Sequence, residues 1–133
     1  MPKYILDTDT CIYWLNGDRQ IEKKVLAAGL ANIFITVITE CELFYGAYKS
    51  SRVDKNLEVL KTLREKVKTI HTAKDVAPTY GRIKAELERA GRVLDDADLL
   101  IASIALASGG KLVTNNIAHF NRIQGLELES WGA

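Results

Sequence analysis

Five side chains that carry oxygen atoms stand beside short apolar segments, and their types and spacing suit metal chemistry. They are Asp7, Glu42, Asp96, Asp98 and Asn116. In an open sheet of parallel strands, ligands bind beyond the carboxyl ends of the strands. Two of these residues follow runs typical of strands, and the other three lie on helices predicted to start at the same edge. We therefore expect four separate segments to bring them together.

Such a cluster of acids predicts a divalent cation. Carboxylates held close together raise one another's pKa, and a bound cation removes that penalty. Ligands that are all oxygen atoms favour Mg²⁺ or Mn²⁺ over zinc, and His71 and His119 are too isolated in the sequence to form a zinc motif. One or two such ions suit phosphodiester hydrolysis, because the metal activates a water molecule and neutralises charge on the phosphate oxygens.

Short apolar runs predict the strands that must position these groups. The runs cover residues 4–6, 33–36, 67–71, 111–114 and 126–129, the last as an edge strand. Helical segments separate them, and this alternation favours a parallel sheet that is covered on both faces. The predicted fold class is therefore α/β.

Apolar spacing and capping residues predict the helices between the strands. They cover residues 11–15, 21–26, 40–48, 53–67, 74–90 and 95–108. The first is expected to be capped by Thr8, Asp9 or Thr10, and capping this helix is the alternative to a metal-binding role for Asp7. In the third, Glu40 is interpreted as a solvated residue. The last has no polar face, which is typical of a central buried helix, and it is expected to end at the glycine pair 109–110.

The composition is that of an ordinary globular protein. The chain has 133 residues, of which 47% are hydrophobic and 26% charged, and we expect a single domain over residues 1–133. A net charge of +1 means that any nucleic acid must bind to a local patch. No apolar run approaches the roughly 20 residues of a membrane span, and no secretion signal is evident. Cys11 and Cys41 are interpreted as reduced, partly buried thiols of a cytoplasmic protein.

Four phrases of the sequence, in their order along the chain, resemble PIN-domain ribonucleases, and in particular the VapC-type toxins of toxin–antitoxin pairs. The phrases are LDTDTCIYWL (6–15), ITECELFYGA (38–47), DADLLIASIAL (96–106) and LVTNNIAHFNRIQGLELESW (112–131). The resemblance covers nearly the whole chain. It implies a PIN-like fold, in which a five-stranded parallel sheet lies between helices with an acidic site at one end.

The resemblance also implies roles for the acids. Asp7, Glu42 and Asp98 match the metal-binding and catalytic acids of the family, and Asp96 matches a frequent additional acid. Asn116 stands where the family often has aspartate after the fourth strand. A neutral amide can accept a hydrogen bond from metal-bound water, but it contributes no charge.

Three further positions follow from the same resemblance. Thr8 and Thr114 match small hydroxyl residues that orient the acids or the phosphate. His119 stands where some relatives carry another acid, and it is given no catalytic role.

The partners implied by the resemblance are an RNA substrate and a protein inhibitor. The substrate would be structured RNA, with transfer RNA favoured and ribosomal RNA possible. The inhibitor would be a cognate VapB-type antitoxin, with operator DNA bound only through that antitoxin. The toxin would be a homodimer that joins a larger complex with the antitoxin, without contact with a membrane.

Two other functions remain open on the sequence alone. Asp7-Thr8-Asp9 after a strand is similar to the haloacid-dehalogenase phosphatases, with Thr39 as the hydroxyl residue and the acids 95–96 at the metal. Against this, Cys11 stands where that motif has Thr or Val, and no lysine is well placed. The second alternative is a PIN domain without activity that serves as a binding module, which the intact Asp7, Glu42 and Asp98 disfavour.

Charged and aromatic side chains outside the acid cluster have two interpretations. Arg82, Lys84, Arg89 and Arg92 are taken as a solvated helix face rather than an RNA groove. Aromatic residues such as Tyr13, Tyr45 and Tyr48 could stack on bases, but packing in the core or between subunits is favoured.

Overall fold

The fold is an α/β sandwich built on five parallel strands. The computed structural model describes residues 2–132, so the first and last residues of the predicted domain lie outside the described part. The strands are β1 (Tyr4–Leu6), β2 (Ile33–Thr36), β3 (Lys68–Ile70), β4 (Lys111–Val113) and β5 (Leu128–Glu129). Their order in the sheet is β3-β2-β1-β4-β5, and every pairing is parallel. The predicted fold class is confirmed.

Besides a 3₁₀-helix at Leu30–Asn32, seven α-helices connect and cover the strands in residues 2–132. They are α1 (Thr8–Leu15), α2 (Arg19–Ala28), α3 (Val37–Lys49), α4 (Val53–Lys66), α5 (Val76–Arg89), α6 (Asp96–Ser108) and α7 (Ile117–Phe120). All six predicted helices are present. The short helix α7 was not predicted, because four residues are too few to show a helical period. Among the described residues, no helix is both long enough and apolar enough to span a bilayer.

The central position of β1 determines which segments meet at the carboxyl edge of the sheet. Tyr4 of β1 is in register with Ile33 of β2 on one side and with Lys111 of β4 on the other. The segments that leave β1, β2 and β4 are therefore neighbours. The backbone N–H of Asp7 continues the sheet by donating to the carbonyl of Val113 over 3.0 Å.

The two faces of the sheet carry separate apolar clusters. Helices α1 to α4 cover one face, where Ile35, Leu43 and Leu63 are buried. Helices α5 to α7 cover the other, where Leu87, Leu99 and Phe120 are buried. Six of the 13 residues of α6 are buried, including the whole run 101–105, and the helix ends at Gly109, whose φ of 74° is left-handed, so the predictions of a buried helix and of its glycine end are confirmed.

Three local predictions were wrong. Helix α1 begins three residues earlier than expected, and Asp7, not Thr8, Asp9 or Thr10, caps it by accepting from the Thr10 N–H. Glu40 is buried instead of solvated, because it faces α4 and β3. The two cysteines are not alike either: both thiols are free, but Cys11 is fully buried and Cys41 is exposed.

Candidate active site

Asp7 lies at the centre of the carboxyl edge, directly after β1. Its side chain is 5% exposed, and its Oδ1 accepts a 2.8 Å hydrogen bond from the Thr10 N–H. Burial raises the pKa of the Asp7 carboxyl, although hydrogen bonds from Thr114 and Thr10 act in the opposite direction. The folded protein thus holds a carboxylate whose negative charge is poorly compensated, which is the condition that a nearby cation relieves.

Glu42 is held in place by a pair of threonines, one of which, Thr8, directly follows Asp7. The Thr8 hydroxyl donates to Glu42 Oε1 over 2.6 Å, and its oxygen lies 3.1 Å from the hydroxyl of Thr39, which is fully buried. Thr8 has one hydrogen to give, so the Thr39 hydroxyl can donate to Thr8. Glu42 itself is exposed and accessible to a ligand.

Asp98 reaches the same edge from the first turn of α6. The cap of that helix is Asp95, which accepts from the backbone N–H of Asp98 over 2.8 Å. Burial raises the pKa of the Asp98 carboxyl, and the charges of Asp95 and Glu42 act in the same direction. The charge of Glu42 on α3 therefore acts on Asp98 on α6, as the smallest of these effects.

His119 contacts Asp98 in a way that the sequence did not reveal. Its Nε2 lies 2.9 Å from Asp98 Oδ2, and the hydrogen bond lowers the pKa of Asp98, against the effect of burial. The two residues are 21 positions apart. In the sequence, the one signal at this position was that some relatives carry an acid where His119 stands. That signal did not show that His119 contacts Asp98.

Asp96, two positions before Asp98 on α6, has basic and hydroxyl partners of its own. Its Oδ1 accepts from Lys84 Nζ over 3.0 Å and from the Tyr80 hydroxyl over 2.9 Å. These hydrogen bonds, that from Lys84 first, lower the pKa of the Asp96 carboxyl. Lys84 was interpreted as part of a solvated helix face, and its ion pair was missed because it depends on how α5 packs on α6.

The segment after β4 supplies Thr114 and Asn116. Thr114 is fully buried, and its hydroxyl oxygen accepts from the Asn116 N–H over 2.9 Å. Asn116 precedes α7 and is exposed, and within residues 2–132 its side-chain amide makes no hydrogen bond to another residue. Thr114 is thus built into the site, whereas Asn116 lies at its rim.

The acids Asp7, Glu42 and Asp98 are called the acidic site from here on. In residues 2–132, no three Asp, Glu, His or Cys side chains are arranged closely enough to enclose a metal ion. The donor set nevertheless suits a hard cation, because it consists of carboxylates flanked by hydroxyl groups. No Lys or Arg of the described chain forms an ion pair with any of the three.

The sequence of this chain matches the family model of the PIN domain over residues 4–126. The ribonuclease VapC2 of Rickettsia felis is 38% identical over 130 residues, which are 96% of this chain and 97% of the relative. The tRNA(fMet)-specific endonuclease VapC of Salmonella typhimurium is 34% identical, over 98% of this chain and 99% of the relative.

The fold is similar to that of solved toxin–antitoxin complexes. Superposition on VapBC2 from Rickettsia felis, bound to a DNA fragment from their promoter, gives a TM-score of 0.90 at 36% identity, covering 96% of this chain and 98% of the other. DNA-bound VapBC from Salmonella typhimurium gives 0.92 at 34% identity, covering 98% and 99%.

Proposed function

The chain belongs to the PIN-domain family, in the group of VapC ribonucleases, and on that premise we propose that it is a metal-dependent endoribonuclease toxin that cleaves structured RNA. The observation that carries the metal dependence is the acidic site. Its carboxylates have hydroxyl and imidazole partners but no ion pair with Lys or Arg in residues 2–132, and burial raises the pKa of Asp7 and Asp98. Membership of the family overturns the phosphatase alternative.

Asp7 and Asp98 are the proposed direct ligands of Mg²⁺, or of Mn²⁺. When bound, the ion would activate water and neutralise charge on the phosphate. Glu42, oriented by Thr8, binds the metal or positions the attacking water. Attack of that water on phosphorus, in line with the RNA 3′-oxygen, would break the bond to that oxygen and leave a 5′-phosphate and a 3′-hydroxyl.

The remaining polar residues support this arrangement from outside the ligand set. Thr114, which lowers the pKa of Asp7 against the effect of burial, is proposed to keep that carboxyl in position. Asp96, whose Oδ1 is occupied by Lys84 and Tyr80, and Asn116, at the rim, act beyond the direct ligands.

Transfer RNA is the proposed substrate class. The support is the 34% identity, over nearly the whole of both chains, to a relative named as a tRNA(fMet)-specific endonuclease. Ribosomal RNA is the second candidate.

The proposed partner is a VapB-type antitoxin. Two solved structures that are similar to this chain are VapBC complexes bound to DNA. We propose that this toxin forms a homodimer in the cytoplasm, assembles further with the antitoxin and reaches operator DNA only through it.

The deciding experiment is cleavage of total cellular RNA by the purified chain, free of antitoxin, with the new ends mapped. The enzyme is compared with Asp7→Asn, in Mg²⁺ and in EDTA. Asn keeps the ability to cap α1, so the substitution removes the charge and not the helix start. Asp9→Asn, two positions away on an exposed surface, is the matched control.

We expect discrete cuts with 5′-phosphate ends that need both Mg²⁺ and Asp7 and that persist in Asp9→Asn. Cyclic 2′,3′-phosphate ends would exclude the metal-activated water. A folded protein that cuts no RNA in Mg²⁺ or Mn²⁺ would overturn the proposed activity in favour of the inactive binding module.

A further inference from the structure

His119 contacts the side chain of Asp98 in the acidic site, although neither the sequence nor the proposed chemistry gives it a role. The Nε2–Oδ2 distance to Asp98 is 2.9 Å, and the side chains are 25% and 28% exposed. Both partners are therefore largely shielded from water, which makes their hydrogen bond more persistent than one on an open surface.

The position of His119 is set by the short helix α7. The neighbouring Phe120 is 1% exposed and anchors the helix in the apolar cluster beneath α6. The backbone N–H of His119 donates to the Asn116 carbonyl over 3.1 Å. The imidazole meets the ring of Phe120 edge-on, with centroids 5.4 Å apart. These contacts hold the imidazole against Asp98 before any ligand arrives.

The direction of the hydrogen bond follows from the partners. An ionised carboxylate only accepts hydrogen bonds, so the Nε2 that faces it carries the hydrogen. A nitrogen that donates in this way has no free electron pair on that side and cannot also bind a metal ion. A histidine beside an acid could either orient that acid or bind the metal through the same nitrogen, and the geometry favours the first role.

We propose that His119 is a positioning residue, which holds Asp98 through its Nε2–H so that the carboxylate presents its free oxygen to the metal, without itself being a ligand. The inference rests on the proposed function, because it needs Asp98 to bind a cation. If His119 has this role, the segment after β4 supports the acidic site at two positions. One is the predicted Asn116 at the rim, and the other is His119 on α7.

The size of the effect follows from the behaviour of residues that orient metal ligands. Loss of such a hydrogen bond typically weakens metal binding about 10- to 100-fold, because the ligand loses its orientation. A glutamine can replace the histidine as donor, because its amide nitrogen occupies a position similar to that of Nε2.

The test measures Mn²⁺ binding by electron paramagnetic resonance on the full chain, which is independent of RNA cleavage. His119→Ala and His119→Gln are compared with the unmodified protein. His71→Ala, at the other histidine, which is exposed after β3, is the matched control. Thermal melting without metal verifies that each variant is folded.

We expect His119→Ala to bind Mn²⁺ about 10- to 100-fold more weakly, with His119→Gln and His71→Ala close to the unmodified protein. Spin-echo spectra of the Mn²⁺ complex should contain no signal from a directly bound nitrogen. Equal affinity in His119→Ala, equal losses in the Ala and Gln variants, or a bound-nitrogen signal that His119→Ala abolishes would each overturn the positioning role alone. Absence of Mn²⁺ binding in the unmodified protein would overturn the proposed function together with this inference.

Discussion

Two glutamates on α3, only two positions apart, lie in opposite surroundings. Glu40 is 7% exposed and accepts from Arg64 Nε over 2.9 Å and from the Thr69 hydroxyl over 2.9 Å. Glu42 is exposed and accepts from the hydroxyl of Thr8. Successive residues of a helix are about 100° apart, so two positions place the side chains on nearly opposite faces.

The residues that contact each glutamate decide whether it has a structural or a functional role. Arg64 compensates the charge of Glu40 permanently and ties α3 to α4, while Thr69 ties it to β3. Glu40 therefore stabilises the fold and is not available to bind a cation. Thr8 orients Glu42 but leaves its charge uncompensated, and Asp7 and Asp98 likewise have no ion pair with Lys or Arg in residues 2–132. A site for a cation requires acids of this second kind.

The largest expected effect separates two variants: Glu42→Gln should lose activity but not stability, whereas Glu40→Gln should lose stability but not activity. Glu42→Gln should reduce RNA cleavage roughly 1,000-fold, equivalent to about 4 kcal/mol of lost transition-state stabilisation. Its melting temperature should stay near that of the unmodified protein, because the side chain is exposed. Cleavage rates per folded molecule, measured beside melting curves, test this.

Glu40→Gln is the matched partner of that experiment. It should lower the free energy of unfolding by about 1–2 kcal/mol, because a buried charged hydrogen-bond acceptor is lost, while the folded protein cleaves RNA at the normal rate. Equal losses of activity in both variants would remove the distinction between the two acids.

A smaller effect is expected for stabilisation by Mg²⁺. A ligand that binds only the folded state at about 100 times its Kd adds about 2.7 kcal/mol to the free energy of unfolding. We expect this gain in the unmodified protein and in Glu40→Gln, but not in Asp7→Asn. Without metal, Asp7→Asn should melt higher than the unmodified protein, since burial disfavours the charged carboxylate that it replaces. Denaturation with and without Mg²⁺ measures both.

The smallest effect is expected from Lys84→Met, which releases Asp96 from its ion pair. Because Asp96 is proposed to act outside the ligand set, Mn²⁺ affinity should be unchanged and the melting temperature should fall only slightly. Lys74→Met, which removes the same charge from an exposed residue before α5, serves as the control. Tighter Mn²⁺ binding in Lys84→Met alone would mean that Asp96 is a ligand restrained by Lys84.

The strands and helices could be predicted because their signals are local. Apolar runs located all five strands, and the lack of a polar face identified α6 as buried. The choice of Asp7 as cap of α1 could not be predicted, because several neighbouring residues are equally good caps. The cap depends on where β1 ends against β4, which the Asp7–Val113 hydrogen bond sets.

The contacts of the site were less predictable because they join distant segments. The positions of Asp7, Glu42 and Asp98 came from motifs, and their roles stay predictions. The ion pair of Lys84 with Asp96 and the contact of His119 with Asp98 depend on how α5 and α7 dock beside α6. Which of the two glutamates on α3 is buried, Glu40 or Glu42, depends on the rotation of the helix about its axis. The mixed sequence of α3 does not determine that rotation.

The unequal burial of the two cysteines gives the protein a natural attachment point for a reporter. Cys11 is fully enclosed, and burial raises its pKa far above the usual value, so its thiol is protected from alkylating reagents. Cys41 is exposed and adjoins Glu42 in the sequence of α3. A maleimide fluorophore added to the native chain should therefore attach once, beside the acidic site, and signal the arrival of RNA or of an inhibitor without any engineered cysteine.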